Sequence, residues 1–297
     1  MRNRTFRVLA AALVIYVGVA ALLLAIVASQ RGGEGGQAIF GPRVAIVELE
    51  GMILEVEDLV RELKSHRDNP QVKAVVIRIN SPGGVVGPTQ ELHQALMRVR
   101  EAGKPVVASL GSVAASGGYY TAVAADRIVA NPGTLTGSIG VIMQMANVES
   151  LFKKVGVDYV VVKAGAYKDL GNFSRPMTAD ERRVLQTLLD DVHAQFIDAV
   201  AAGRKLDRAT VVKFADGRVF SGVQAKTLHM VDELGSLEDA VNDAAKLAGL
   251  SVPPAVIRPS RRFSFFDLVR SQLGFRIGGF GVLPSLPSMR TLLYVMD

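Results

Sequence analysis

Cysteine is absent from all 297 residues, which excludes disulfide frameworks, thiolate metal sites, iron–sulfur clusters and thiol nucleophiles together. Histidine is scarce. The four residues, at positions 66, 93, 193 and 229, form no close pair, so a metal site would need long-range assembly. A surplus of one charge sign is also missing once the formal +6 is partitioned. Residues 1–31 carry four Arg and no acid, and residues 258–297 carry six Arg and two Asp. Of the 34 basic and 28 acidic residues, the middle therefore keeps 24 and 26. A near-neutral body with basic ends argues against a nucleic-acid face. With 49% hydrophobic and 21% charged residues the chain is not intrinsically disordered. No repeat of 20–50 residues is evident. The length would allow two domains at ~150 residues each, but many α/β folds use it as one.

What is present begins with an uncharged run of 23 residues, Val8 to Gln30. As a helix it would span ~34 Å, enough for a hydrocarbon core of ~30 Å. Arg2, Arg4 and Arg7 precede it, which by the positive-inside bias places the N-terminus in the cytoplasm and the rest outside. The run is longer than a secretory apolar region, and Ala25-Ile26-Val27 and Val27-Ala28-Ser29 are poor cleavage sites, so an uncleaved anchor is expected over 1–31. A glycine-rich tether, 32–41, follows.

The body alternates short apolar runs with helical patterns. Strands are expected at Val44–Leu49, Val72–Ile79, Pro105–Leu110, Arg127–Ala130, Gly140–Met145 and Asp158–Val162. Helices are expected at Glu57–Arg67, Pro88–Ala102, from Ser116 through Ala125, at Val148–Val155 and from about Thr178 to Ala202. The last opens on Thr178-Ala179-Asp180-Glu181, a capping-box pattern. Shorter helices follow near Arg208–Phe214, Gly222–His229 and Leu237–Leu247. This rhythm implies one α/β domain, about 42–257, built on a mostly parallel sheet covered by helices.

Three glycine turns carry the chemistry: Asn80-Ser81-Pro82-Gly83-Gly84, Ala114-Ala115-Ser116-Gly117-Gly118-Tyr119 and Thr136-Gly137-Ser138-Ile139-Gly140. In an α/β sheet, ligands gather where strands end and helices begin, because backbone N–H groups point outward there. A Ser among small residues at such a turn exposes its hydroxyl, and Gly117 lets the backbone offer its N–H to an oxyanion. Each turn alone is equally what close helix–sheet packing requires. None has the spacing of a phosphate or dinucleotide loop.

A nucleophilic Ser116 needs a base. The histidines fit poorly: His66 and His93 fall on polar helix faces, His193 lies mid-helix and His229 lies beside a helix end. A lysine among apolar groups loses hydration and, once neutral, can accept a proton. Lys168, in Ala164-Gly165-Ala166-Tyr167-Lys168-Asp169, has a small and apolar setting up to Asp169; it could equally be a surface lysine paired with Asp169.

In this order and spacing, with 52 residues from Ser116 to Lys168, the chain resembles signal peptide peptidase A (protease IV) in its short, single-repeat form. The resemblance runs from about Val44 to Ala248. It rests on the three turns, on Tyr167-Lys168-Asp169, on Ala215-Asp216-Gly217-Arg218-Val219-Phe220-Ser221-Gly222 and on Val231-Asp232-Glu233-Leu234-Gly235. It implies Ser116 as nucleophile, Lys168 as general base, Ser138 as the hydroxyl that orients the lysine, and the Gly83 and Gly117 N–H groups as the oxyanion hole. The implied fold is the α/β Clp/crotonase type of stacked β-β-α units. The implied assembly is a homo-oligomeric ring, an octamer, in which neighbouring subunits share each site. The implied substrates are hydrophobic peptides left after signal-peptide cleavage, and neither cofactor nor metal is required. One departure is His229-Met230, where the family usually has Gly-Leu before Val-Asp.

Two other readings share parts of this pattern. A stomatin-operon (NfeD-like) membrane protease has the Ser-Gly-Gly turn and the Lys, but typically adds further spans, and no second apolar run of 18 residues exists here. A crotonase-type acyl-CoA hydratase or isomerase shares fold and oxyanion hole without the Ser/Lys pair. The tail, 258–297, mixes Phe263, Phe265 and Phe266 with arginines. It reads as a segment lying on the membrane lipid bilayer, a packing arm, or a chain entering the substrate groove.

Overall fold

The computed structural model describes residues 41–258 and 293–295 and, singly, Gly18, which lies in a helix. Contacts divide the chain into units 1–41 and 42–297. The expected anchor and tether therefore fall outside the described residues apart from Gly18 and Gly41, as does most of the tail. Among the described residues no helix is long and apolar enough to cross a membrane.

The second unit is built on a sheet of β1 (Arg43–Glu50), β2 (Val72–Ser81), β4 (Val106–Ala115), β5 (Arg127–Ala130), β6 (Leu135–Gly137), β7 (Val219–Ser221), β8 (Glu233–Leu234) and β9 (Ala255–Ile257). The order is β7-β6-β4-β2-β1-β9, with β5 pairing β4 and β8. All pairs are parallel except β6 with β7, which run antiparallel. The α/β sheet is as expected.

Alternation explains how the sheet is covered. Ala45, Val47 and Leu49 of β1 and Ile77 and Ile79 of β2 face one core, with Leu63, Leu92, Leu96 and Phe196 from helices. Val44, Ile46, Ala74 and Val76 face the other, under Ala240, Val241, Ala244 and Ala245. Burial on both faces is why these strands read as continuous apolar runs. The first core receives α1 (Glu57–Asp68), α2 (Val86–Glu101), α3 (Gly117–Ala122) and α5 (Ala179–Arg204). The second receives α8 (Leu237–Leu247). Short helices α4 (Glu149–Val155), α6 (Arg208–Val212) and α7 (Gly222–Thr227) complete the set. The capping box of α5 is formed as its sequence predicts: Glu181 N–H donates to Thr178 Oγ1 at 3.2 Å, and Thr178 N–H to Glu181 Oε2 at 2.8 Å.

Two expected strands are absent. Neither Gly140–Met145 nor Asp158–Val162 forms one, although both have strand composition. A strand exists only where it pairs along its length: the first run keeps no more than an isolated bridge at Ile142, and Asp158–Val162 finds no partner among the described residues. Val160 and Val162 are left 80% and 96% exposed. Conversely β3 (Gly83–Val85), only three residues long, is a strand that composition hides. It departs from the main sheet and pairs antiparallel with β10 (Leu293–Val295), Val295 opposite Gly83, in the only described part of the tail beyond Arg258.

Candidate active site

The register brings the three glycine turns together. Ala114 lies opposite Ser81 of β2 and opposite Thr136 of β6, and Ala115 opposite Gly137. Ser116 and Ser138 are thus the residues immediately beyond a paired position on neighbouring strands. Both have positive φ, 52° and 51°. Ser116 is tied down from both sides: its N–H donates to Gly137 O at 2.7 Å, and its carbonyl accepts from Tyr120 N–H at 2.8 Å.

At φ 52° and ψ −117° Ser116 sits in a region that glycine normally fills, a conformation costing roughly 1–3 kcal/mol. The turn needs it because β4 must bend sharply into α3. The Ser116 side chain is fully buried, and its Oγ has no hydrogen-bond partner among the described residues. An orphaned buried hydroxyl costs about 1–3 kcal/mol. Strain and an unmade bond thus fall on one residue, and both count against stability.

The glycines beside it are there for space. A Cβ on Gly117 would stand 2.9 Å from Thr89 Oγ1, 3.2 Å from Gly83 Cα and 3.2 Å from Gly84 N, so the first two turns touch through bare backbone. As first residue of α3, Gly117 carries one of the N–H groups that a helix leaves unpaired at its start. The Gly83 N–H donates to Ser81 Oγ at 3.1 Å, so this donor is engaged within its own turn. Beside Ser138 opens a cleft of about 970 Å³ bounded by Met143, Asp190, His193, Asp216 and Arg218. His193 Nε2 lies 3.2 Å from Ile139 O there.

Lys168 is not part of this cluster within one chain. It is exposed on the loop between α4 and α5, and its amine has no partner among the described residues. The surface pairing with Asp169 does not occur, because Asp169 is held by Lys163 and Arg175. Its carboxyl is pulled down to about 2, first by the Lys163 hydrogen bond and then, against some burial, by Arg175.

No histidine reaches Ser116 Oγ, which has no partner among the described residues. His93 also corrects an expectation. It is half-buried rather than on a polar face, its ring edge-on to Tyr120 at 5.1 Å, and burial lowers its pKa to about 4. Among the described residues no group of three or more metal-ligating side chains occurs.

From sequence alone Ser81 and Thr89 have no role at the site and Asp169, Arg175 and Glu181 are not joined, although Ser81 lies in the first glycine turn and Glu181 in the α5 capping box.

A family model, Peptidase family S49, matches residues 98–251, which include Ser116, Ser138 and Lys168. A candidate protease of Synechocystis sp. is 45% identical over 70% of this chain and 75% of its own length. The chain belongs to peptidase family S49. It is 34% identical to Protease 4 of Haemophilus influenzae over 72% of this chain, but that match spans only 36% of the relative. A candidate signal peptide peptidase SppA of Enterococcus faecium is 34% identical over 64% of this chain and 55% of that one. This S49 protease thus spans about a third of Protease 4's length.

Proposed function

We propose that this S49 protease is a membrane-anchored serine endopeptidase with a Ser116–Lys168 dyad, which degrades cleaved signal peptides and other hydrophobic peptides outside the cytoplasm. The observation that carries the reading is the buried, unpartnered Ser116 Oγ, held at positive φ where the Gly83 and Gly117 backbones meet. Neutral Lys168 takes the Ser116 proton as Oγ attacks the peptide carbonyl. The Gly117 and Gly83 N–H groups hold the resulting oxyanion, Gly83 sharing or exchanging its bond to Ser81 Oγ. Each such donor is worth roughly 3–4 kcal/mol. The protonated Lys168 then gives its proton to the leaving amine, and water cleaves the acyl-enzyme.

The dyad is proposed to form between copies of the chain, in a Clp/crotonase-type homo-oligomeric ring. Among the described residues of one copy Ser116 Oγ has no base and Lys168 no partner, so each has what the other needs. The cleft beside Ser138 gives a neighbour's Lys168 a route to the hydroxyl that orients it, and exposed Val160 and Val162 supply apolar surface for the contact. Membrane attachment rests on the Val8–Gln30 run and the arginines before it. The signal peptide class rests on the name of the Enterococcus relative and on that location.

A serine-directed acylating probe is expected to modify Ser116, read by mass mapping of the adduct; modification of another serine would refute the nucleophile. Lys168→Ala protein is expected to lose nearly all peptide hydrolysis with folding intact. Ser116→Ala and Lys168→Ala subunits, inactive separately, should regain activity when co-assembled, and mixing that never restores any sinks the shared site.

A further inference from the structure

The loop that carries Lys168 is braced by a chain of ion pairs one residue away. Arg175 donates from Nε and Nη2 to Asp169 Oδ2 at 3.0 and 2.9 Å, and from Nη1 to Glu181 Oε2 at 2.9 Å. Its Nη2 also reaches Glu181 Oε1. Lys163 closes the other end, bonding Asp169 Oδ1 and the Ala166 carbonyl. Glu181 is the capping-box residue of α5, so the brace ends on a rigid element. The Asp169 and Glu181 side chains are only 10% and 5% exposed, which is deep for carboxylates on a surface loop and in the first turn of a helix.

We propose that Asp169, Arg175 and Glu181 are positioning residues for Lys168, with Arg175 keeping the Asp169 carboxylate away from the Lys168 amine. The inference rests on Lys168 being the base. A carboxylate adjacent in sequence is the natural partner of an ammonium, and such a pair favours the charged, non-basic form. Two cations, Lys163 and Arg175, instead hold both oxygens of Asp169, so Lys168 is presented unpaired. The charged or titrating groups around Asp169 are Lys163 ahead of it, Tyr167 and Lys168 beside it, Arg175 after it, and Glu181 from α5. A bidentate guanidinium suits the task because one planar group serves two carboxylates, which a lysine amine cannot match.

The test is the pH profile of kcat/KM for full-length, assembled enzyme. Arg175→Gln frees Asp169 Oδ2 while Lys163 still holds Oδ1, and the acidic limb is expected to move up by roughly 1 pH unit as the freed oxygen turns to the Lys168 amine. Adding Asp169→Asn to that variant should return the limb to its original position. Arg175→Lys, which keeps a charge, should give a smaller displacement and serves if the glutamine variant fails to fold. A uniform fall in kcat/KM with the limb unmoved would overturn the proposal, leaving only a scaffold brace. So would a displaced limb that the second substitution does not correct. Lys168→Ala protein with wild-type turnover would remove the base itself, an outcome distinct from either.

Discussion

Ser116→Ala protein is expected to lose peptide hydrolysis by about 10⁴-fold or more while becoming more resistant to unfolding. The two effects have one cause. The hydroxyl is desolvated without a partner, so its removal relieves about 1 kcal/mol or more of the cost that the folded state carries. Ser116→Gly should be equally inactive and relieve the backbone as well, since φ 52° is open to glycine, less the roughly 0.5–1 kcal/mol of chain entropy that glycine adds. Turnover of a peptide substrate and denaturant unfolding at one fixed protein concentration check both halves. Residual turnover near wild type would remove Ser116 from the chemistry. A lower unfolding midpoint in both variants would mean that its hydroxyl is bonded in solution.

Gly117→Ala should be damaging for a different reason. The φ of Gly117 is not positive, so alanine has no backbone penalty there; the conflict is spatial. Its methyl would sit 2.9 Å from Thr89 Oγ1 and 3.2 Å from two backbone atoms of the first turn. Thr89 is itself fixed by a 2.8 Å bond to the Val85 carbonyl, so the turn rather than the side chain must give. Overpacking of this kind costs roughly 1–3 kcal/mol. Displacing one oxyanion donor lowers kcat by about 10²–10³-fold. The expected signature is a fall in kcat with KM little changed. A variant with unaltered kcat would show that the Gly117 N–H does not serve the oxyanion.

What could be read beforehand divides along physical lines. Buried parallel strands such as β2 declare themselves through runs such as Val75-Val76-Ile77, and α5 through its Thr178–Glu181 cap, because both signals are local. The glycine turns were legible as turns for the same reason. Their convergence was not, since it depends on the pairing of Ala114 with both Ser81 and Thr136. Asp158–Val162 misled because its β-branched residues satisfy a strand's composition while no neighbour among the described residues satisfies its hydrogen bonds. Short β3 was hidden by the opposite fault: Gly83-Gly84-Val85 has no strand composition, yet the chain finds partners there. The Arg175 brace joins residues six apart on either side, a spacing that no helix or strand period announces.

The pairing of β10 on β3 has a consequence for how a peptide gets in. An extended peptide that reaches the Gly83 turn by adding to the β3 edge meets a berth already taken, with the polypeptide's own Val295 opposite Gly83. Entry is then an exchange of one backbone ladder for another, and the resident segment competes at the effective concentration of a tethered ligand. Protein ending before Leu293 is expected to show a lower KM for peptides with kcat unchanged, measured by steady-state hydrolysis; an unchanged KM would mean that the berth is vacant whenever the enzyme works.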